Sequence, residues 1–272
     1  MNIKNKKYIN EGFNSKAYIV NEDYILLEGI NDDSYSNYRK YAKNISLLRN
    51  IKSVQIPTNI QIIKPNKDYP FGALKYKMIK GKTFRKEDIK LVNLDDIART
   101  LADFLNELYD IKVPFDQTYS IISEIDITGL SVTKLKDYLD PNTYKKVLDW
   151  YNAYKKYLIN FDDYHFIHGD LWYENYILND DNKLIGIVDF ESSGMGDPAY
   201  DIASLYYLGN DFIDKVLYHY KHTDQDLIKR IDILVKAREI ADFDDTVRNY
   251  PKKVDEQIEK IKNVLKNGLH FF

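Results

Sequence analysis

The chain has 272 residues, 44% hydrophobic and 30% charged, which is enough for one large domain or two lobes with a substantial core. Its net charge of -3 gives no basis for nucleic-acid binding, and the absence of cysteine excludes disulfides, zinc–thiolate sites and thiol nucleophiles. The basic start lacks the apolar segment of a secretory signal, and no apolar run approaches the roughly 20 residues of a membrane helix. We therefore expect a cytoplasmic, monomeric protein that binds neither nucleic acid nor membrane.

The first part of the chain predicts short strands and turns, because apolar runs alternate with Gly, Asn and Pro. The predicted elements are strands at residues 8–9, 17–20 and 24–27, a helix at 35–50, and strands at 59–63 and 72–79. Gly81 then marks a break in the pattern. These elements predict a small N-terminal lobe, residues 1–79, built from an antiparallel sheet and one helix.

After Gly81 the pattern becomes mostly helical. Asn93 followed by Asp96 is similar to a capping box, and apolar residues recur at helical spacing from Ile97 to Leu108. The further predicted elements are a helical region at residues 135–158 interrupted at Asp140-Pro141, a hairpin at 176–189 and helices from 199 to 269. The prediction is an α+β fold whose second lobe, residues 80–272, is mainly helical.

The candidate catalytic residues are concentrated in residues 166–203, where acidic side chains interrupt an apolar sequence typical of strands. Asp170 and Asn175 precede the first strand of the hairpin and Asp189 ends its second strand, so Asn175 and Asp189 are predicted to lie side by side. Two side-chain oxygens there suit Mg²⁺, and Asp170 is placed to accept a proton, which are the parts that phosphoryl transfer needs. Each acid alone would be an ordinary cap or turn residue, but the combined pattern is far less frequent by chance.

The segments HGDLWYENYIL, GIVDFE and GDPAYDIA resemble the aminoglycoside phosphotransferase and choline kinase group, whose fold is similar to that of protein kinases. The order of the tail is most similar to the aminoglycoside 2''-phosphotransferases. The resemblance implies a two-lobed protein-kinase-like fold, Asp170 as catalytic base, and Asn175 and Asp189 as ligands of Mg²⁺. It also implies ATP or GTP as the phosphate donor, with His168 and Asp201 as structural supports of the catalytic loop.

One departure from the group concerns the lysine on the third strand and its glutamate partner on the helix. In DYILLEGI the lysine position is occupied by Leu27, and in YRKYAKNISLL the helix position is aligned with Lys43. One hypothesis is that Lys43 reaches the nucleotide phosphates instead, and the alternative is that it is a solvated helix residue. Because both members of the usual ion pair are absent in this alignment, an alternative hypothesis is that the protein binds nucleotide without catalysing transfer.

The nucleotide-binding residues of the first lobe are predicted from weaker patterns. In NEGFNSKAY, Gly12 and Ser15 are predicted to bind phosphate weakly, with help from backbone amides. The alternative is an ordinary hairpin turn. In KYKMIKG the backbones of Lys77 and Ile79 are predicted to bind the base of ATP or GTP, and the alternative is an ordinary core strand.

The acceptor is predicted to be a small cationic molecule that binds beside Asp170. Glu191 and Asp197 are expected near the cleft, and Glu239 and Asp242 in REIADFDDTVRNY are candidates because related enzymes use acids in this region. The alternative for the last two is a solvated helix face.

The resulting functional prediction is a kinase that transfers the γ-phosphate of ATP or GTP to a hydroxyl of an aminoglycoside, as antibiotic-resistance enzymes do. A choline- or ethanolamine-type kinase is the alternative, with a quaternary amine held by aromatic faces. The aromatic candidates are Trp172, Tyr173, Tyr206 and Tyr207. A protein kinase is disfavoured because no Ala-Pro-Glu segment follows Asp189. The pairs His165/His168 and His219/His222 have metal-like spacing, but no carboxylate or cysteine completes a zinc site.

Overall fold

The computed structural model describes residues 3–12, 14–113 and 121–267. The N-terminal part is a five-stranded antiparallel sheet in the order β1-β2-β3-β5-β4, with one helix. Its elements are β1 (Lys6–Glu11), β2 (Ser15–Val20), β3 (Tyr24–Gly29), α1 (Ser34–Leu47), β4 (Thr58–Ile63) and β5 (Ala73–Lys77).

The register of the sheet decides which side chains face α1. Leu27 of β3 lies opposite Ala17 on β2 and Leu74 on β5, so these side chains share one face. Leu27 and Leu74 belong to the main hydrophobic core, whereas the neighbouring Leu26 is buried in a small cluster on the other face. The face that carries Leu27 is therefore the inner face of this sheet.

The C-terminal part is mainly helical. Its helices are α2 (Leu94–Tyr109), α3 (Ile121–Leu135), α4 (Pro141–Asn160), α5 (Pro198–Ala203), α6 (Asn210–His219), α7 (Leu227–Ile240), α8 (Phe243–Asn249) and α9 (Val254–Asn267). The Asn93 side chain caps α2 by accepting hydrogen bonds from the amides of Asp95 and Asp96. Among the described residues, no helix is both long enough and apolar enough to cross a membrane.

Two short sheets organise the loops of the C-terminal part. One contains β6 (Lys82–Thr83), β8 (Tyr176–Leu178) and β9 (Leu184–Ile187), and the other pairs β7 (His165–Ile167) with β10 (Gly194–Gly196). The loop at residues 168–175 runs from β7 to β8, and the segment at 188–193 runs from β9 to β10. Both polar segments of the sequence thus leave the same pair of small sheets.

The predicted fold class is confirmed, and the predicted strands and helix of the N-terminal part occur close to their predicted bounds. The predicted interruption at Asp140-Pro141 is confirmed, because the chain turns between the end of α3 and the start of α4, where Asp140 is the cap and Pro141 lies in the first turn. The sequence did not predict α3 itself, which precedes this break. The predicted helical residues 268–269 lie outside the described residues, and the lobe boundary after residue 79 stays a prediction.

Candidate active site

The loop that carries Asp170 begins with a glycine that no other residue can replace without strain. Gly169 has a φ of +81°, in the left-handed region, and a Cβ there would lie 2.5 Å from the carbonyl oxygen of Ser192. The backbone therefore passes close to the segment that follows Asp189. This close approach explains the glycine between His168 and Asp170.

Asp201 holds this loop through its carboxylate. Its two oxygens accept hydrogen bonds from the amides of His168 and Gly169, at 2.7 and 2.8 Å. Asp201 is fully buried, and burial raises its pKa to about 7 even though the two amides favour the ionised form. The geometry of the loop thus depends on a carboxylate at the start of α5.

His168 connects the two polar segments. Its ring is buried, its Nε2 lies 3.1 Å from the carbonyl oxygen of Val188, and its Nδ1 accepts a hydrogen bond from the amide of Asp170 at 3.3 Å. Burial lowers the pKa of the ring to about 4, so the imidazole is neutral and donates from Nε2. His168 is therefore a neutral link between the loop and the end of β9, with no free nitrogen for a metal.

Asp170 and Asn175 are in direct contact. The Nδ2 group of Asn175 donates to the backbone oxygen of Asp170 at 2.7 Å and to its carboxylate at 3.2 Å. The amide of Val188 donates to the carbonyl oxygen of Asn175 at 3.0 Å, which brings Asn175 next to Asp189 in space. The amide oxygen of the Asn175 side chain remains as a ligand group on this side of the loop.

Asp189 is the third member of the cluster, and its backbone also has a left-handed φ of +69°. Part of its surface is exposed, but the protein atoms around its carboxylate restrict hydration. This burial, together with the negative charges of Asp170 and Glu191, raises its pKa to about 6. A carboxylate with these neighbours is one that a cation stabilises.

Arg238, on α7, is a residue of the site that sequence reasoning missed. Its guanidinium Nη2 lies 3.7 Å from the Asp170 carboxylate, and its centre lies 5.7 Å from the ring centres of both Tyr200 and Tyr207. Burial raises the pKa of Asp170, and the Arg238 charge and the Asn175 hydrogen bond oppose that rise. The sequence indicates Arg238 only as an arginine at the start of the acidic segment REIADFDD, a pattern that is equally typical of a solvated helix face.

The turn between β1 and β2 lies against the segment after Asp189. The amide of Gly12 donates to the carbonyl oxygen of Ser15 at 2.9 Å, which closes the turn. The Asn14 side chain then donates to the Glu191 carboxylate at 2.5 Å. Glu191 therefore contacts the turn that was predicted to bind phosphate.

The two residues predicted to bind the nucleotide base lie at and after the end of β5. Lys77 ends β5 and is exposed, and Ile79 is buried against β9 beside Gly186.

The placement of Lys43 corrects the predicted role of α1. Lys43 is exposed, whereas Tyr38, Tyr41 and Asn44 form the buried face of the helix. The side chain of Asn44 donates to the carbonyl oxygen of Ser193 at 2.8 Å, so α1 is held against the segment after Asp189 by an amide. The helix residue that faces the inner side of the sheet is therefore not the predicted lysine.

Two of the four acids predicted to bind substrate are engaged inside the protein, which corrects that part of the prediction. Asp197 is buried, and its carboxylate accepts hydrogen bonds from Arg230 at 2.7 Å and Tyr157 at 2.8 Å. Glu239 is also buried and accepts hydrogen bonds from Tyr206, Tyr207 and Gln257.

Asp242 is placed differently from these two buried acids. It keeps an exposed surface, and burial and the charges of Glu124 and Asp245 raise its pKa. Arg238 lies near enough to oppose this rise. Asp242 is therefore an exposed acid near Arg238, and the neighbouring Glu124 carboxylate accepts a hydrogen bond from Tyr154 at 2.8 Å.

Aromatic side chains stand next to the catalytic loop. The rings of Trp172 and Tyr207 are 6.3 Å apart, those of Tyr206 and Tyr207 are 4.2 Å apart, and those of Trp172 and Tyr173 are 5.4 Å apart. In the described part of the chain, no group of three or more His, Asp or Glu side chains has the arrangement of a metal site.

A small antiparallel sheet followed by a mainly helical part, with a polar loop such as that of Asp170, is the architecture of kinase-like phosphotransferases. Residues 7–234 match the model of the phosphotransferase enzyme family (APH), and the chain belongs to this family. The predicted resemblance and the predicted enzyme class, a phosphotransferase, are therefore both confirmed.

The proteins that are similar to this chain have been described with different substrates. It is 30% identical over 190 residues to a LicA homologue of Metamycoplasma hominis, which covers 62% of this chain and 70% of that protein. The GDP and kanamycin complex of APH(2'')-IIIa has a TM-score of 0.84 and 21% identity, covering 98% of this chain and 95% of that one. A macrolide 2'-phosphotransferase from Brachybacterium faecium has a TM-score of 0.63 and 12% identity, covering 96% and 91%. At these identities the two structures establish the fold alone.

Proposed function

We propose that this protein transfers the γ-phosphate of ATP or GTP to a hydroxyl of a small cationic molecule, with an aminoglycoside as the first candidate acceptor. The observation that carries the proposal is the contact of Asp170 with Asn175, next to Asp189, on a loop fixed by Asp201. Phosphoryl transfer depends mainly on positioning and electrostatics, and this arrangement supplies both. Some structural relatives contain kanamycin or gentamicin, which supports the choice of acceptor.

Each residue of the cluster has a definite task in the proposed reaction. The Asp170 carboxylate accepts the proton of the acceptor hydroxyl as the hydroxyl oxygen attacks the γ-phosphorus atom. Asn175 fixes the rotamer of Asp170 through its hydrogen bonds, and Arg238 favours the ionised carboxylate that a base requires. His168 and Asp201 keep the loop in place without taking part in proton transfer.

The residues present fit a magnesium ion. Burial and the charges of Asp170 and Glu191 raise the pKa of Asp189, so a cation would stabilise its ionised form, and Asn175 is hydrogen-bonded through its backbone to Val188, the residue before Asp189. Mg²⁺ in kinases takes one or two protein ligands and completes its shell with phosphates and water. We infer that Asn175 and Asp189 hold the ion, which would neutralise charge on the phosphates of the bound nucleotide.

The acceptor side supports a cationic substrate because acids outnumber bases there. Three acids, Glu124, Asp170 and Asp242, and one base, Arg238, lie close enough to Tyr200 for their charges to influence its pKa. An acceptor ammonium group would be attracted to Asp242 and Glu124, and an acceptor hydroxyl would then lie near Asp170. Tyr200 is half-buried and feels the charges of Arg238 and of these acids, and we expect it to form part of the floor of this subsite.

A second candidate, a choline-type amino alcohol, is favoured by a separate observation. Asp197 and Glu239 are withdrawn into the protein, while Trp172 and Tyr207 form an aromatic wall beside the loop. A compact quaternary amine is attracted by aromatic faces and needs fewer carboxylates than a polycation.

The experiment that tests the proposal is a product-detecting transfer assay with ATP and with GTP over kanamycin, gentamicin, choline and ethanolamine. Asp242→Asn is expected to raise KM for an aminoglycoside about tenfold or more and to leave choline unaffected, because only the polycation uses a second ammonium site. Trp172→Leu is the matched variant for the aromatic wall and is expected to affect choline more. Absence of phosphorylated product from every acceptor with both nucleotides would refute the proposed reaction.

A further inference from the structure

The position of the missing lysine is filled by apolar and aromatic side chains. Tyr41 is buried and stacks on Tyr76, with ring centres 6.1 Å apart and planes inclined by 18°. Tyr76 lies two residues from Leu74 on β5, so it shares the inner face of the sheet with Leu27. Tyr41 of α1 thus packs on β5 against the face of the sheet that also carries Leu27, the residue aligned with the strand lysine of related kinases.

Two hydroxyl groups on this face of α1 lack hydrogen-bond partners. Among the described residues only four buried side-chain polar atoms are unpaired, and two of them are the hydroxyls of Tyr38 and Tyr41, one turn apart. The side chains are 2% and 3% exposed, respectively. The Ser15 hydroxyl and the backbone of Phe190 lie close enough to influence the pKa values of Tyr38 and Tyr41, but neither contact has hydrogen-bond geometry. Buried polar groups normally have partners, so this pair indicates a partner that the protein itself does not provide.

The surroundings of the two hydroxyls trace the expected path of the nucleotide phosphates. Burial raises the pKa of Tyr38, and the charge of Glu191 adds to the rise, so Tyr38 lies between the β1–β2 turn and the segment after Asp189. Burial, the neighbouring Tyr76 and the charge of Asp189 raise the pKa of Tyr41 in the same way. Both phenols are therefore protonated at any working pH and can act as hydrogen-bond donors.

Neutral donors also suit the charge balance of this region. A lysine near Leu27 would need a carboxylate partner on α1, and that helix has Tyr41 and Asn44 on its buried face instead. Replacing a buried ion pair with well-packed uncharged residues is often neutral or stabilising for the fold. The interface can therefore keep its packing while the donors to phosphate change from an ammonium to hydroxyls.

We propose that Tyr38 and Tyr41 donate hydrogen bonds to phosphate oxygens of the bound nucleoside triphosphate and replace the strand lysine of related kinases. This inference rests on the proposed function, because it assumes that a nucleotide binds between the sheet and the loop of Asp170. Tyr38 donates to the phosphate nearest the β1–β2 turn, and Tyr41 donates to the phosphate nearest Asp189.

The test is calorimetric titration of Tyr38→Phe, Tyr41→Phe and the double variant with the preferred triphosphate and with its nucleoside. Each single change keeps the ring and removes one hydroxyl, so triphosphate affinity is expected to fall about 10- to 100-fold, as for a hydrogen bond to a charged group. Nucleoside affinity is expected to stay unchanged. Tyr18→Phe, on the outer face of the same sheet, is the matched control.

A second measurement separates phosphate binding from packing. Without nucleotide, Tyr41→Phe is expected to melt at the same temperature as the wild type or higher, because the hydroxyl it removes is buried and unpaired. Leu27→Lys combined with Tyr41→Glu introduces a lysine and a glutamate on this face of the sheet and on α1, and is expected to bind the triphosphate more tightly than Tyr41→Phe.

The possible outcomes distinguish this inference from the proposed function. Unchanged triphosphate affinity in both phenylalanine variants, with normal transfer activity, would overturn the role of the tyrosines and leave the proposed reaction intact. Equal losses of triphosphate and nucleoside affinity would show a packing role and would also overturn it. A wild-type protein that binds no nucleotide would refute both the inference and the proposed function, and would favour a silent module.

Discussion

Replacing Asp189 with asparagine is expected to stabilise the protein while removing its response to magnesium. The pKa of Asp189 rises from 3.8 to about 6, because of burial and the charges of Asp170 and Glu191. A difference of about 2 pKa units corresponds to about 3 kcal/mol at 1.36 kcal/mol per unit. Because part of Asp189 is exposed, solvent screening reduces the expected gain to about 1–2 kcal/mol. Asparagine also tolerates the left-handed backbone at this position.

The sign of the pH dependence follows from the direction of the pKa shift. A carboxyl group with a raised pKa in the folded state destabilises the fold when it is ionised, so its penalty is full above about pH 6 and absent below its unfolded pKa near 3.9. Urea unfolding of wild type and Asp189→Asn, in EDTA at pH 8 and pH 4, measures this. The variant is expected to be more stable only at pH 8, and exposed Asp181→Asn is the control. A variant less stable than wild type at pH 8, or an equal difference at both values, would refute the reasoning.

Three further outcomes are expected. Gly169→Ala should lower kcat at least tenfold, because its Cβ would meet the Ser192 carbonyl oxygen at 2.5 Å in a left-handed backbone; full activity would contradict the described loop. Arg230→Ala should destabilise the fold by about 3–5 kcal/mol by leaving the buried Asp197 carboxylate without its cation, and adding Asp197→Asn should recover much of the loss in denaturant unfolding. Magnesium-dependent nucleotide binding should weaken as the pH falls below about 6, where Asp189 is protonated; an affinity constant from pH 8 to pH 5 would exclude Asp189 as the ligand.

The catalytic segments could be predicted because their spacing is local. Asp170, Asn175 and Asp189 lie at the two ends of one short hairpin, and the pairing of β8 with β9 brings those ends together. Helix α3 was harder to predict, since its sequence IISEIDITGLSVTKL is rich in β-branched residues and contains a glycine, both of which disfavour helix. Packing against α4 and α8 overrides that local preference.

The long-range partners of the site could not be predicted from spacing. Arg238 reaches Asp170 from α7, which is far away in sequence, and nothing in REIADFDD distinguishes it from a solvated base. The buried face of α1 depends on the exact rotation of the helix, and a shift of two residues in the alignment decides whether Lys43 or Tyr41 faces the sheet. Likewise the burial of Glu239 is set by Tyr206 and Gln257, which only the tertiary fold brings to it.

The most direct test of the account is the transfer of labelled γ-phosphate from ATP or GTP to the preferred acceptor by wild type and by Asp170→Asn. The change keeps the size of the side chain and the position of the loop but removes the base, so kcat is expected to fall by about 10²–10⁴-fold. Nucleotide affinity is expected to stay near that of the wild type, because Asn175 and Asp189 are intact. Wild-type turnover in Asp170→Asn, measured at matched acceptor saturation, would contradict the assignment of Asp170 as the base.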